Sequence, residues 1–158
     1  MIRIATMHDL VRAREIIGIG RAAMRAAGNT VQWAPVGQAE EAVAEDIRQG
    51  RFYVLEDDGG IYGVFALVLG DDPTYEYIEG AWRRDAPYGT IHRIASDGTH
   101  RGVLAECVRW SMEQIPHLRI DTHQSNRAMR GAIEKLGFVY CGTIYIADGT
   151  PRMAYDLM

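Results

Sequence analysis

The sequence predicts an α/β fold of the mixed-sheet kind, with one central β-sheet flanked by helices. Midway along the chain a strand, a helix and a second strand follow one another, an order that requires a parallel crossover. On either side of that unit lie β-rich runs joined by Asp/Gly turns, the signal of antiparallel hairpins. A third observation is length: 158 residues suffice for one well-buried core and are too few for two ordinary domains. Residues 1–158 are therefore expected to form a single domain.

Met1 to Ala5 alternates weakly and reads as a short strand. Thr6 with Asp9 three residues later marks a helix start, and Leu10, Ala13, Ile17 and Met24 keep helical spacing. Gly18 and Gly20 each cost about 1 kcal/mol against Ala, which predicts a break or bend there. Gly28 to Gly37 forms a polar loop around Trp33, and Gln38 to Gln49 is an acidic helix closed by Gly50. A hairpin follows, Arg51 to Glu56 and Ile61 to Leu69 around Asp57-Asp58-Gly59-Gly60, ended by Asp71-Asp72-Pro73. Tyr75 to Tyr88 mixes aromatic and charged residues, and Thr90 to Ser96 is a strand. The next helix carries Leu104, Cys107, Val108, Met112 and Ile115 on one face and stops at Pro116. Leu118 to Thr122 is a strand, and Ser125-Asn126 caps a helix with Met129, Ala132, Ile133 and Leu136 on one face. Gly137 closes that helix, and Phe138 to Ile146 and Arg152 to Leu157 form a last hairpin about Asp148-Gly149.

Hydrophobic residues make up 47% of the chain, charged residues 24%, and the formal charge is −4. These proportions fit a soluble globular protein. The modest acidity argues against nucleic acid as partner, because its backbone calls for a basic face. The start, MIRIATMHDL, has no long apolar run or small-residue cleavage site, so no signal peptide and a cytoplasmic location are expected. The longest uninterrupted apolar run, Val64 to Leu69, is far short of a bilayer span, and no membrane partner is expected. Cys107 and Cys141 lack CxxC spacing and are expected to be reduced thiols without a metal.

The stretch His92 to Cys107, HRIASDGTHRGVLAEC, reads as a strand, a Gly-containing turn and the first turn of a helix. A helix beginning near Gly102 leaves its first N–H groups without partners, and with the dipole they attract an anion. Gly102 lets a ligand approach the backbone, Gly98 can take a positive φ, and His100 and Arg101 add positive charge. Local chemistry alone leaves an ordinary strand-helix connection equally open.

The order of elements, the Arg101-Gly102-Val103 turn into a helix, and Asn126 before a helix closed by Leu136-Gly137-Phe138 resemble the GNAT family of acetyl-CoA-dependent N-acetyltransferases. The resemblance covers nearly the whole chain. It implies the GNAT acyl-CoA N-acyltransferase fold and acetyl-CoA as cosubstrate. In that family a Q/R-x-x-G-x-G/A turn holds the pyrophosphate of coenzyme A on its backbone amides. Gly102 matches the first Gly, while Thr99 replaces the Gln/Arg and Leu104 the second Gly/Ala. The resemblance thus implies cofactor contacts from Arg101, Gly102, Val103, Leu104 and Ala105. It implies further contacts from Ile94 and Ser96 on the preceding strand and from Asn126, which also suits an N-cap. It makes a homodimer unsurprising.

Amine acetylation needs a base for the ammonium, donors for the developing oxyanion and a proton for the leaving thiolate. Where many family members carry an acidic Tyr, four residues before the Gly of the Gly-Phe pair, this chain has Ile133. The candidates are His123 at the carboxyl end of a strand, His92, Tyr140 and Glu79. Strand alternation places His92, Ile94 and Ser96 on one face and Arg93 and Ala95 on the other. Trp33 and Trp82, in polar and turn-rich surroundings, are candidates for the wall of the acceptor pocket. The expected activity is acetyl transfer to a small-molecule amine by direct attack in a ternary complex. A non-catalytic acyl-CoA-binding or sensing domain, or a scaffold without cofactor, stands as the alternative.

Overall fold

The computed structural model describes residues 1–33 and 37–158; positions 34–36, inside the loop expected around Trp33, lie outside the described residues. Strands β1 (Ile2–Ile4), β2 (Phe52–Asp57), β3 (Gly60–Leu69), β4 (Glu79–Gly80), β5 (Gly89–Ser96), β6 (Leu118–Thr122), β7 (Val139–Tyr145) and β8 (Pro151–Leu157) form one mixed sheet. Its order is β1-β2-β3-β5-β6-β8-β7-β4. Helices α1 (Leu10–Ala26), α2 (Gln38–Arg48), α3 (Val103–Gln114) and α4 (Arg127–Lys135) complete it. Among the described residues only β5 and β6 run parallel, so α3 is the crossover that the strand-helix-strand order demands.

Both faces of the sheet are covered, and strand alternation shows it directly. In β3, Val64 and Ala66 face Ile16, Ile17 and Val43 of α1 and α2, whereas Phe65 and Leu67 face Cys107 and Val108 of α3 and Ile133 of α4. A third cluster, Tyr75, Tyr88, Ile144 and Ala154, closes the end beside β7 and β8. Among the described residues, no helix is long and apolar enough to cross a membrane.

Helix α1 runs unbroken through Gly18 and Gly20, against the expected bend. Gly20 lies against β5, where an added Cβ would stand 3.0 Å from that of Ala95. The glycine lets helix and strand approach, and the packing offsets its low helix propensity. The start of the helix follows the Thr6/Asp9 signal, with the Thr6 amide donating to Asp9 at 2.8 Å through a short 3₁₀ turn. Strand β4 was not expected. It lies inside the aromatic-charged loop and pairs with β7 through Gly80 and Gly142, whose backbones leave no room for a Cβ.

Candidate active site

The feature that organises the site is a gap in the sheet. β5 and β6 pair only at Gly89–Leu118 and Thr90–Arg119, although β5 continues to Ser96 and β6 to Thr122. Beyond Thr90 the strands part. Their facing backbone groups are left without a ladder partner, which a strand-like ligand could supply. A cleft of about 740 Å³ occupies the opening, and Ile94, Ser96, Leu104, Thr122 and Asn126 are among its lining.

A bulge in β5 accompanies the parting. Val64 pairs with Ala95 and Ala66 with His92, so Arg93 and Ile94 together oppose Phe65. Arg93 takes φ +50°, and a bulge of this kind bends its strand. It also changes which way side chains point. His92 faces the α1–α2 side with its partner Ala66, and Ile94 packs against the core under α3 and α4. The expectation that His92 and Ile94 share a face is therefore corrected: the extra residue between them reverses the alternation. Arg93 reaches Asp46 of α2 at 2.6 Å, an aspartate that also holds Arg51 at 2.7 Å.

The turn after β5 is pinned on both sides. Arg12 of α1 holds Asp97 at 2.8 Å, and Asp97 accepts the amide and hydroxyl of Thr99 at 3.0 and 2.6 Å. His100 stacks on Tyr62 with 3.6 Å between ring centroids, and its two ring nitrogens meet Thr99 Oγ1 and Asp57 Oδ2, each at 2.7 Å. His100 is thus occupied within the loop rather than free for an anion as expected. Arg101 is exposed and forms no ion pair among the described residues. Gly102 caps α3 at φ +72°, a conformation that favours glycine, and its carbonyl receives the Glu106 amide at 3.0 Å. The amides of Val103, Leu104 and Ala105 then have no helical acceptor, so the helix start offers donors beside a free cation. Val103 is buried, whereas Leu104 lines the cleft while packing on the core.

Opposite β5, the loop after α1 is tied to the end of β6. Gln32 Oε1 accepts from Thr122 Oγ1 at 3.2 Å and from Asn126 Nδ2 at 3.3 Å, while Ser125 Oγ donates to Asn29 Oδ1 at 3.1 Å. Asn126 also accepts the Met129 amide at 3.3 Å, capping α4. Trp33 lines the cleft, and its carbonyl accepts from Arg21, which bridges to Glu40 of α2 at 2.6 Å.

Of the four catalytic candidates, His92 alone lines the cleft. Its Nε2 lies 2.9 Å from Asp72 Oδ2. Burial by itself would raise the Asp72 carboxyl, but hydrogen bonds from His92 and the Thr74 amide outweigh it and hold the group below its usual range. Asp72 ends the hairpin and caps the short 3₁₀ turn Pro73–Tyr75, and its amide donates to the Tyr88 hydroxyl oxygen at 2.7 Å. Alongside, the buried Tyr75 hydroxyl donates to Asp121 at 2.6 Å. Burial first, and then the Asp121 charge, push that phenol well above its ordinary value.

The remaining candidates lie outside this lining. His123 turns its Nδ1 to Ser125 Oγ at 2.7 Å and accepts the Ser125 amide, the contacts of a capping group. Glu79 is exposed on β4 and accepts the Tyr145 hydroxyl at 2.8 Å. Tyr140 is exposed and meets Tyr155 edge-on. Trp82 donates to the Tyr75 carbonyl at 3.0 Å and covers Arg119, whose guanidinium lies between the Trp82 and Tyr88 rings at 4.0 and 3.9 Å. These contacts explain why each is held where it is. Ile133 is fully buried in the core. Asp72 and Arg152 were missed by sequence reasoning: one looked like a hairpin terminator, the other like the first residue of a strand.

No family model matches the sequence, and no curated protein matches it. Solved structures do. A GNAT-family acetyltransferase from Streptococcus agalactiae 2603 is 31% identical, with a TM-score of 0.90 over 100% of this chain and 94% of that one. A GNAT-family acetyltransferase from Listeria monocytogenes 4b F2365 is 15% identical, with a TM-score of 0.70 over 99% and 92% of the two chains. The ribosomal-protein-S18-alanine N-acetyltransferase of Escherichia coli is 16% identical, with a TM-score of 0.63 over 99% and 92%. The last two likenesses concern the fold.

Proposed function

Because the chain belongs to the GNAT family of acetyltransferases, we propose that it transfers acetyl from acetyl-CoA to the amine of a small-molecule acceptor, with both substrates held in the cleft. The observation that carries this reading is the parting of β5 from β6 beside the open N-terminus of α3. Acetyl-CoA, as substrate, fits those groups. The free edge of β5 at Ile94 to Ser96 suits an extended amide-bearing arm, and the amides of residues 103–105 with Arg101 suit a pyrophosphate. Asn126, capping α4 at the rim, reaches the same arm when its Nδ2 exchanges Gln32 Oε1 for the ligand.

The chain's own part in the reaction is to position the amine and take its proton. His92, oriented by Asp72, is the base on the acceptor side. An unpaired N–H of β5 polarises the thioester carbonyl. The amine nitrogen bonds to the acetyl carbon, the carbon–sulfur bond breaks, and the amine's proton passes to His92. With Ile133 where a phenol would stand, the departing thiolate is protonated by water. Direct attack is favoured over a covalent intermediate because neither cysteine lines the cleft. Cys107 is buried with its thiol pushed up by burial, and Cys141 is pushed up to about 11 by burial and then by Asp156.

Melting with and without saturating acetyl-CoA tests binding, since a ligand at about 100 times its Kd adds about 2.7 kcal/mol. Thiol release with a panel of amines tests transfer. A clear melting shift with no thiol release from any amine would replace the enzyme by an acyl-CoA-binding or sensing domain. No shift at all would leave a scaffold.

A further inference from the structure

Three arginines are buried among the described residues, each 6% exposed: Arg21, Arg119 and Arg152. Arg21 is paired with Glu40, and Arg119 lies between two aromatic rings. Arg152 has neither. Its Nη1 donates to Thr150 Oγ1 at 3.1 Å and to the Pro151 carbonyl at 2.8 Å, and it forms no ion pair with a carboxylate among the described residues. A buried cation without a counter-ion is costly, and such a group calls for a reason. Arg152 lines the cleft.

Its surroundings narrow what could serve as that counter-ion. Arg152 alternates with Ala154 on β8, and Ala154 pairs with Asp121 on β6, so Arg152 and Asp121 share one face of the sheet. Asp121 is engaged by the Tyr75 hydroxyl, and Asp148, the other carboxylate that acts on Arg152, is exposed and accepts from Thr150 at 2.9 and 2.5 Å. Burial lowers the Arg152 pKa, with Asp121 and Asp148 opposing the shift. His92 lines the same cleft, with Asp72 2.9 Å behind its Nε2. The lining therefore offers a cation on the β8 side and carboxylates, with a base, around it.

We propose that the acceptor is an amine that also bears a carboxylate, of the α-amino-acid class, and that Arg152 binds the carboxylate while His92 faces the amine. This inference rests on the acetyltransferase reading above and adds the acceptor's chemical class. A planar guanidinium matches a carboxylate with two parallel hydrogen bonds, and desolvation strengthens the pair. The apolar part of the lining, with Met24, Trp33, Met129 and Ile146, is left for the side chain.

The experiment compares the L-amino acids with their carboxamides, which keep the amine and lose the charge. With acetyl-CoA and the wild-type protein, kcat/KM for the preferred acid should exceed that for its amide by about 10- to 100-fold, as expected for loss of a charge-assisted pair. The preference should collapse in Arg152→Gln, mainly through KM, and survive in part in Arg152→Lys. Coenzyme A binding checks that each variant is folded. A second arm needs no turnover: with coenzyme A bound, the acid but not the amide should raise the wild-type melting temperature. Equal acceptance of acid and amide, or a preference unchanged in folded Arg152→Gln, overturns the proposal. No acetylation of any amine, with the acid-specific melting shift intact, overturns the enzyme reading and leaves the carboxylate site standing. No acetylation and no acid-specific shift removes both.

Discussion

At the scale of single residues, chemistry here follows from partners more than from residue type. The chain has five histidines, and His92 is distinguished by a place on the cleft and a carboxylate 2.9 Å away. His123 looked equally suited, at the end of a strand next to Asn126, but its ring serves as a cap for Ser125. His92→Ala should lower kcat by about 10²- to 10⁴-fold, the usual contribution of a general base, with coenzyme A affinity kept. Added imidazole should restore part of the rate, whereas a purely structural role would give no such rescue. Asp72→Asn should lower kcat less and leave the KM for acetyl-CoA unchanged. An unaltered kcat in His92→Ala would move the base elsewhere.

Among the elements, α1 and β5 decide the shape of the site together. The two glycines of α1 look alike in sequence, yet an added Cβ meets nothing within 4 Å at Gly18 and meets Ala95 of β5 at 3.0 Å at Gly20. Gly18→Ala should therefore stabilise the protein by about 1 kcal/mol through helix propensity alone. Gly20→Val should destabilise it by about 1–3 kcal/mol by overpacking, and should weaken acetyl-CoA binding because β5 forms one wall of the cleft. Urea melts of both variants check the signs, and similar stability changes in the two would refute the close helix–strand approach. The bulge at Arg93–Ile94 belongs to the same scale. No residue type announces it, because a bulge is a mismatch between two strands and appears only once β5 has paired with β3.

For the molecule as a whole, acid stability follows from imidazoles that folding desolvates. His117 is held below its ordinary range by burial and then by Arg119, and His123 by burial and then by Arg152. Below about pH 6.5 the unfolded chain binds protons that the folded chain does not, so stability falls from pH 7 toward pH 5. Depressed carboxylates such as Glu40, held by Arg21 against the effect of burial, lose their contribution only below about pH 4.5. Denaturation at pH 7, 6 and 5 should show the first limb, and His117→Asn should flatten it while leaving the lower one. An unchanged slope in that variant would exclude His117 as its source. Apart from the short strand β4, the order of strands and helices, the parallel crossover and the turn that opens α3 could be read from the residues alone. Periodicity, caps and glycines near Gly102 and Gly137 are local, and local signals survive without knowledge of neighbours. Register and packing decide that β5 and β6 part after Thr90, that a bulge turns His92 to the α1–α2 side, and that His92 and Arg152 line one cleft, with Asp72 behind His92. Those facts depend on register and on residues brought together from distant parts of the chain, where the partner that gives a side chain its role is absent from its own stretch of sequence.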